Sequence, residues 1–226
     1  MPKTYKNFNP KVEKFSEYLI NYSGELWQDA TNHKFTNELK NDTLKNHIFK
    51  KYIVQDYIFI ESLVTLIGKA IALAPNLNSK VKWSAFIYAI TSDENNYFIR
   101  SFEALNITKD EREKTKLLAP INDFSKLMHE VANTGTYKEI LAVILAAEWI
   151  YYTWASNVKK PYPERFYLSE WITLHNNSFF KDTVTWIKEE LDSISHKLTV
   201  SEQHEVAILF TKIVMLEVSF FDACYK

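Results

Sequence analysis

Glu139-Ile-Leu-Ala-Val-Ile-Leu-Ala-Ala-Glu148-Trp-Ile-Tyr151-Tyr-Thr-Trp154-Ala155 is apolar or aromatic on every side of a helix, with one full carboxylate, Glu148, in its middle. Thr136 stands three residues before Glu139, the spacing of a capping box, so a helix is expected to open here with its first amide hydrogens satisfied. A helix that is apolar all round is a buried one. A lone charge on such a helix costs on the order of several kcal/mol, comparable to the net stability of a small domain, unless a partner or a ligand meets it. Glu148 therefore points to a site.

Working outward, the 226-residue chain holds 3 Gly and 6 Pro against 15 Phe, 13 Tyr and 6 Trp. Few chain breakers and many large side chains favour an all-α, aromatic-rich single domain over a turn-rich β protein. The 27 basic and 28 acidic residues leave a net charge of -1 with no long run of either sign, so charge recruits neither nucleic acid nor an anionic membrane. Residues 1–10 lack the apolar core of a signal peptide and read as a flexible start. The longest apolar run, Ile140 to Ala147, is too short to span a bilayer, and the expectation is a cytoplasmic protein. Cys224 is the single cysteine, which excludes an internal disulfide and any cysteine-based metal cluster within one chain.

Along the chain, Val12, Phe15, Leu19, Tyr22, Leu26 and Ala30 recur at helical spacing and predict a first helix from about Lys11 to Asn32-His33. A short piece follows at Phe35 to Leu39. Asn41-Asp42-Thr43 offers a cap for a long second helix ending before Pro75, with the stripe Ile48, Tyr52, Asp56, Phe59, Leu63, Ile67 and Ala70. Asn78-Ser79 is read as starting a third, with Trp83, Ile87, Ile90, Glu94, Tyr97 and Ser101 inward, and Asn106 to Lys116 as a surface connection. A fourth carries Phe124, Leu127, Met128 and Val131 before Thr134-Gly135. After the central helix come Lys159-Lys160-Pro161, two shorter helices around 164–175 and 178–195, and a Thr199/Glu202 capping box. That box opens a last helix with Val206, Phe210, Ile213, Glu217, Phe220 and Cys224 inward. This amounts to one domain, residues 1–226, of about eight or nine helices.

Four acids thus fall on four core faces, and each has an aromatic three residues on: Asp56 with Phe59, Glu94 with Tyr97, Glu148 with Tyr151, Glu217 with Phe220. Three residues is nearly one turn, so acid and ring share a face. Converging helices would enclose a chamber of carboxylates and ring faces, suited to a flat heteroaromatic ligand carrying amino groups. The plainer reading ties each acid into the core through Tyr or Trp hydrogen bonds. A carboxylate-bridged metal pair, as in an oxygen-using metalloenzyme, calls for Glu-x-x-His. Here Tyr97, Tyr151 and Phe220 occupy that place, and no metal is expected. None of the six His residues makes a metal-binding spacing; His175 faces inward on a short helix, either as a packed core histidine or at the site. Cys224 reads as a packed side chain with no basic neighbour to activate it.

The segments Tyr52-Ile-Val-Gln-Asp56-Tyr-Ile-Phe59, Ala147-Glu-Trp-Ile-Tyr151, Trp171-Ile-x-x-His175 and Leu216-Glu217-x-x-Phe220-Phe-Asp-Ala-Cys-Tyr225 together resemble the TenA/thiaminase II family. The resemblance implies the haem-oxygenase-like fold, a dimer or tetramer of like chains, no cofactor, and an aminopyrimidine hydrolase of thiamin salvage. It places Asp56 on the pyrimidine's amino group, Phe59 on the ring face, Glu217 as proton donor or acceptor, and Phe220 beside the ring.

One branch of that family carries a nucleophilic cysteine in a Cys-x-Trp-x-Tyr pattern. With Trp149 and Tyr151 in register, Ala147 takes that place. The chain therefore resembles the other branch, which lacks the thiol and carries a glutamate nearby, matching Glu148, and which is associated with amino- and formylamino-pyrimidines. Phe124 and His175 also stand where the cysteine branch tends to have Tyr. Two carboxyls in one apolar chamber push each other's pKa apart, which leaves one as acid and one as base, and the expected pair is Glu148 and Glu217. Two further classes stay open: a protein that binds a pyrimidine without converting it, and a metal-dependent oxidase on the same fold.

Overall fold

The computed structural model describes residues 7–226. Twelve α-helices and one π-helical turn account for the regular structure among them, and no strand is present there. The helices are α1 (Phe15–Ser23), α2 (Glu25–Thr31), α3 (Lys34–Lys40), α4 (Asn46–Leu73), α5 (Leu77–Ala89), α6 (Asn95–Ala104), α7 (Lys109–Lys114), α8 (Ala119–Thr134), α9 (Tyr137–Ser156), α10 (Phe166–Leu174), α11 (Ser178–Ser195) and α12 (Val200–Cys224), with the π turn at Ile90–Glu94 between α5 and α6.

The central helix is α9. The Thr136 amide and hydroxyl both reach the Glu139 carboxylate, completing the expected capping box. From Ile140 to Tyr151 every residue is buried. Helices α12, α11, α4, α8 and α2 cover it. Burying all faces at once is what its composition required, and each large aliphatic side chain contributes about 1.5–3 kcal/mol by leaving water. The Thr199/Glu202 box opens α12 as expected, with the Thr199 amide donating to Glu202 at 2.8 Å.

Several boundaries differ from the sequence expectation. The first helix is two, because Gly24 takes φ 59° and turns the chain between α1 and α2, a backbone region that residues with a Cβ rarely adopt. The long second helix starts at Asn46, not at Asn41-Asp42-Thr43. That polar stretch instead docks the connection before α10, where Arg165 donates to the Asp42 and Leu44 carbonyls at 2.8 Å each. Helix α5 is capped by Asn76, whose side chain accepts from the Ser79 amide at 2.9 Å, two residues ahead of the expected start. The connection from Asn106 to Lys116 contains α7, held by a Thr108/Glu111 capping box. Of the start expected to be flexible, residues 1–6 lie outside the described residues, while Phe8 packs edge-on to Phe15 with ring centroids 5.1 Å apart.

No helix among the described residues is long and apolar enough to cross a membrane.

Candidate active site

The inward acids come from separate elements: Asp56 from α4, Glu148 from α9, Glu217 from α12 and Glu94 from the π turn. Asp56, Glu148 and Glu217 are each almost completely buried, while Glu94 is only partly so. Asp56, Glu94 and Glu148 line one small cavity together with Phe59, Ile60, Leu63, Ala147, Tyr151, Trp171 and His175. Its volume is about 20 Å³, room for roughly one water. Glu217 is not on that lining, yet it sits close enough for its charge to be felt at Asp56, Glu148 and Tyr151. Phe124 and Phe220 stand one layer back. Phe124 packs edge-on to Phe59 at 5.2 Å, and Phe220 stacks on Tyr52 at 5.2 Å.

Shared burial sets the proton affinities. Asp56 is held well above the ordinary carboxyl range by burial, then by the charges of Glu94, Glu217 and Glu148, with the Tyr52 hydroxyl opposing the rise. Burial and then Glu94 and Glu217 push Glu148 up likewise. Burial alone raises Glu217 and Glu94 to about 8 each. Glu217 and Glu94 hold their protons at neutral pH, Asp56 and Glu148 are shifted in the same direction, and the four titrate as a coupled group.

His175 follows α10, and its Nδ1 lies 2.9 Å from the Trp171 carbonyl oxygen. A carbonyl only accepts, so Nδ1 carries the hydrogen and Nε2 offers a lone pair. Burial pushes the imidazole down to about 4, against the raising effect of that hydrogen bond, so the ring is neutral at pH 7. Trp171 meets the imidazole edge-on at 4.3 Å and Tyr151 tilts against it at 4.9 Å.

Four buried polar atoms in this neighbourhood have no hydrogen-bond partner: Asp56 Oδ2, Glu217 Oε2, Trp154 Nε1 and Trp171 Nε1. Buried polar groups are normally paired, and an orphan costs about 1–3 kcal/mol. Acceptors and donors left open beside one cavity are what a polar heterocyclic ligand would satisfy. Cys224 is off the cavity lining, donating to the Phe220 carbonyl at 3.3 Å, and burial, then the charge of Asp56, pushes its thiol up, away from the reactive thiolate. Among the described residues no group of three His, Cys, Asp or Glu is placed to hold a metal ion.

Of the acid and ring pairs that the spacing predicts around one chamber, Asp56 with Phe59 and Glu148 with Tyr151 line the cavity, Glu94 joins them without Tyr97, and Glu217 and Phe220 lie off the lining. His175, for which the spacing leaves a packed core place open, lines it too. Trp171 belongs to the Trp171-Ile-x-x-His175 segment, but nothing in the spacing assigns it to the site. Its indole points to the site only once the missing partner is visible. Glu94, one of the four core-face acids, lines the cavity from the π turn.

A model of the TENA/THI-4/PQQC family matches residues 23–226. The chain belongs to this family. Among similar proteins, an aminopyrimidine aminohydrolase of Helicobacter pylori is 25% identical over 216 residues, covering 93% of this chain and 98% of the relative. One of Halalkalibacterium halodurans, with the same name, is 22% identical over 214 residues, covering 94% and 96%. Among solved structures, a TenA homologue from Pyrococcus furiosus superposes with a TM-score of 0.81 at 24% identity, over 93% of this chain and all of that one. A TenA homologue from P. horikoshii gives 0.83 at 19% identity, over 94% and 99%. The fold is accordingly that of TenA proteins, the all-α haem-oxygenase-like architecture.

Proposed function

We propose that this chain hydrolyses an aminopyrimidine in thiamin salvage, with paired buried carboxyls in place of a cysteine nucleophile. The observation that carries the reading is the convergence of Asp56, Glu148, Tyr151, His175 and Phe59 on one cavity beside orphaned donors and acceptors. The relatives named aminopyrimidine aminohydrolase support the substrate class.

A carboxyl held protonated has a hydroxyl to donate and a carbonyl to accept. Asp56 in that state matches the edge of a 4-aminopyrimidine, donating to the ring nitrogen and accepting from the amino group. Phe59 supplies a ring face for stacking. Glu148 and Glu217 divide the proton work. One, ionised, takes a proton from water as its oxygen bonds to the exocyclic carbon. The other, protonated, gives its proton to the nitrogen as the carbon–nitrogen bond breaks, and ammonia leaves. The two carboxyls have then exchanged roles and reset by passing the proton back. With an N-formyl substrate the same pair serves attack of water on the formyl carbon.

In this reading Glu148→Gln and Glu217→Gln each lower turnover of 4-amino-5-aminomethyl-2-methylpyrimidine by about 10²–10⁴ while the helical circular dichroism stays intact. Near-normal rates in either variant reject the carboxylate pair. Tight binding of the aminopyrimidine by the parent protein with no ammonia released would favour the non-catalytic binding protein, consistent with the place of Ala147, which puts no thiol on the cavity.

A further inference from the structure

The inner cavity shares a wall with a much larger groove. That groove, of about 510 Å³, lies between α5, the π turn and the start of α11, and its lining includes Phe86, Tyr88, Asp93, Phe179 and Phe180. Glu94 and His175 line both spaces and so form the neck between them. The inner cavity admits roughly one water, so a pyrimidine enters only if part of the lining gives way; where the Glu94 and His175 wall does so, whatever the ring carries continues into the larger space adjoining it. Glu94, on that shared wall, sits on a π turn, the least regular piece of the helical framework and a feature that recurs at functional sites.

The neck has complementary chemistry. The Glu94 carboxyl makes no hydrogen bond or ion pair with the described residues, and neither does His175 Nε2. Asp56 from α4, Glu148 from α9 and His175 from the end of α10 face Glu94, and Asp93 adjoins it on its own turn. No lysine or arginine lines either space. Glu94, raised to about 8, is protonated at neutral pH and donates, while the neutral His175 accepts. A donor beside an acceptor matches a secondary amide, whose carbonyl accepts and whose N–H donates. A free ammonium has only donors and satisfies one of the two.

Resting on the aminopyrimidine reading above, we propose that the outer groove is a subsite for an acyl substituent on the substrate's exocyclic nitrogen, with Glu94 and His175 receiving the amide at the neck. The acyl groups it takes extend beyond formyl and pack among Phe86, Tyr88, Phe179 and Phe180.

The test uses a series of 4-amino-2-methylpyrimidines bearing aminomethyl, formylaminomethyl, acetylaminomethyl or butanoylaminomethyl at carbon 5, with Kd from calorimetry and kcat/KM where turnover occurs. The parent is expected to bind the acetyl and butanoyl amides at least about tenfold more tightly than the amine. Glu94→Ala lowers that ratio about tenfold. Glu94→Gln, still a donor, keeps it. Ala85→Trp, an exposed position whose new ring fills the groove, lowers the butanoyl-to-amine ratio more than the formyl-to-amine ratio. The parent's ratio falls as pH rises through about 8, and that of Glu94→Gln does not. A ratio that is flat across the series, or that no variant shifts, overturns the subsite while conversion of the plain amine leaves the hydrolase reading standing. Failure to bind any member of the series removes both.

Discussion

The hydroxyls of Tyr52 on α4 and Tyr151 on α9 meet at 2.8 Å in the buried interior. Tyr52 lies one turn before Asp56 and Tyr151 three residues after Glu148, so this single hydrogen bond clamps together the two helices that bring their acids to one cavity.

Replacing either tyrosine by Phe leaves the other hydroxyl buried without its partner, at a cost of about 1–3 kcal/mol. Tyr52→Phe with Tyr151→Phe together should cost less than the sum of the single changes, because neither hydroxyl is then left facing a lost tyrosine partner. Urea unfolding of the three variants measures this, and strictly additive losses would show that the hydroxyls do not depend on each other.

Asp56 binds a neutral pyrimidine edge through one donor and one acceptor, which an amide side chain also offers. Asp56→Asn is therefore expected to keep the Kd for the aminopyrimidine within about tenfold. Asp56→Leu, which offers neither group, loses roughly 10–150-fold, the equivalent of about 1.5–3 kcal/mol. Calorimetric titration separates the two, and equal losses would mean that the carboxyl acts as an anion.

Folding raises the Glu217 carboxyl from an ordinary 4.5 to about 8, so the folded chain holds this proton more tightly than the unfolded chain. Its contribution to stability is complete below about pH 4.5 and is lost as the pH climbs to about 8. Asp56 and Glu148, also raised, act in the same direction. His175, lowered to about 4, acts oppositely, its contribution being lost as the pH falls from 6.5 towards 4. Glu217→Gln, neutral throughout, should match the parent's thermal midpoint near pH 4.5 and exceed it at pH 8 by the equivalent of on the order of a few kcal/mol. A thermal-melt series in pH checks this, and a lower midpoint at pH 8 would show that the ionised carboxyl is stabilised by the fold.

Gly24 holds φ 59° and ψ −131° where α1 turns into α2. A side chain there is strained in any rotamer, and Gly24→Ala is expected to cost about 1–3 kcal/mol in denaturant unfolding. An unchanged midpoint would mean that the turn rearranges freely.

Local spacing alone determined a good deal. Seventeen residues without a polar face, from Glu139 to Ala155, could fold only as a helix covered on all sides, and the boxes Thr136/Glu139 and Thr199/Glu202 mark their helix starts because capping is a contact between near neighbours in the chain. The same 3.6-residue period put Asp56, Glu148 and Glu217 on core faces. Tertiary packing decided which faces met: Glu94 became part of a neck through a π turn that no spacing announces, Glu217 came to lie behind the cavity lining, and Asp42 went to Arg165 instead of to a helix cap. The orphaned Trp154 and Trp171 indoles belong to this second group, since a missing partner can be recognised only when every neighbour is in place. A helix's period says which way a side chain points; what waits there is set by chain segments a hundred residues away.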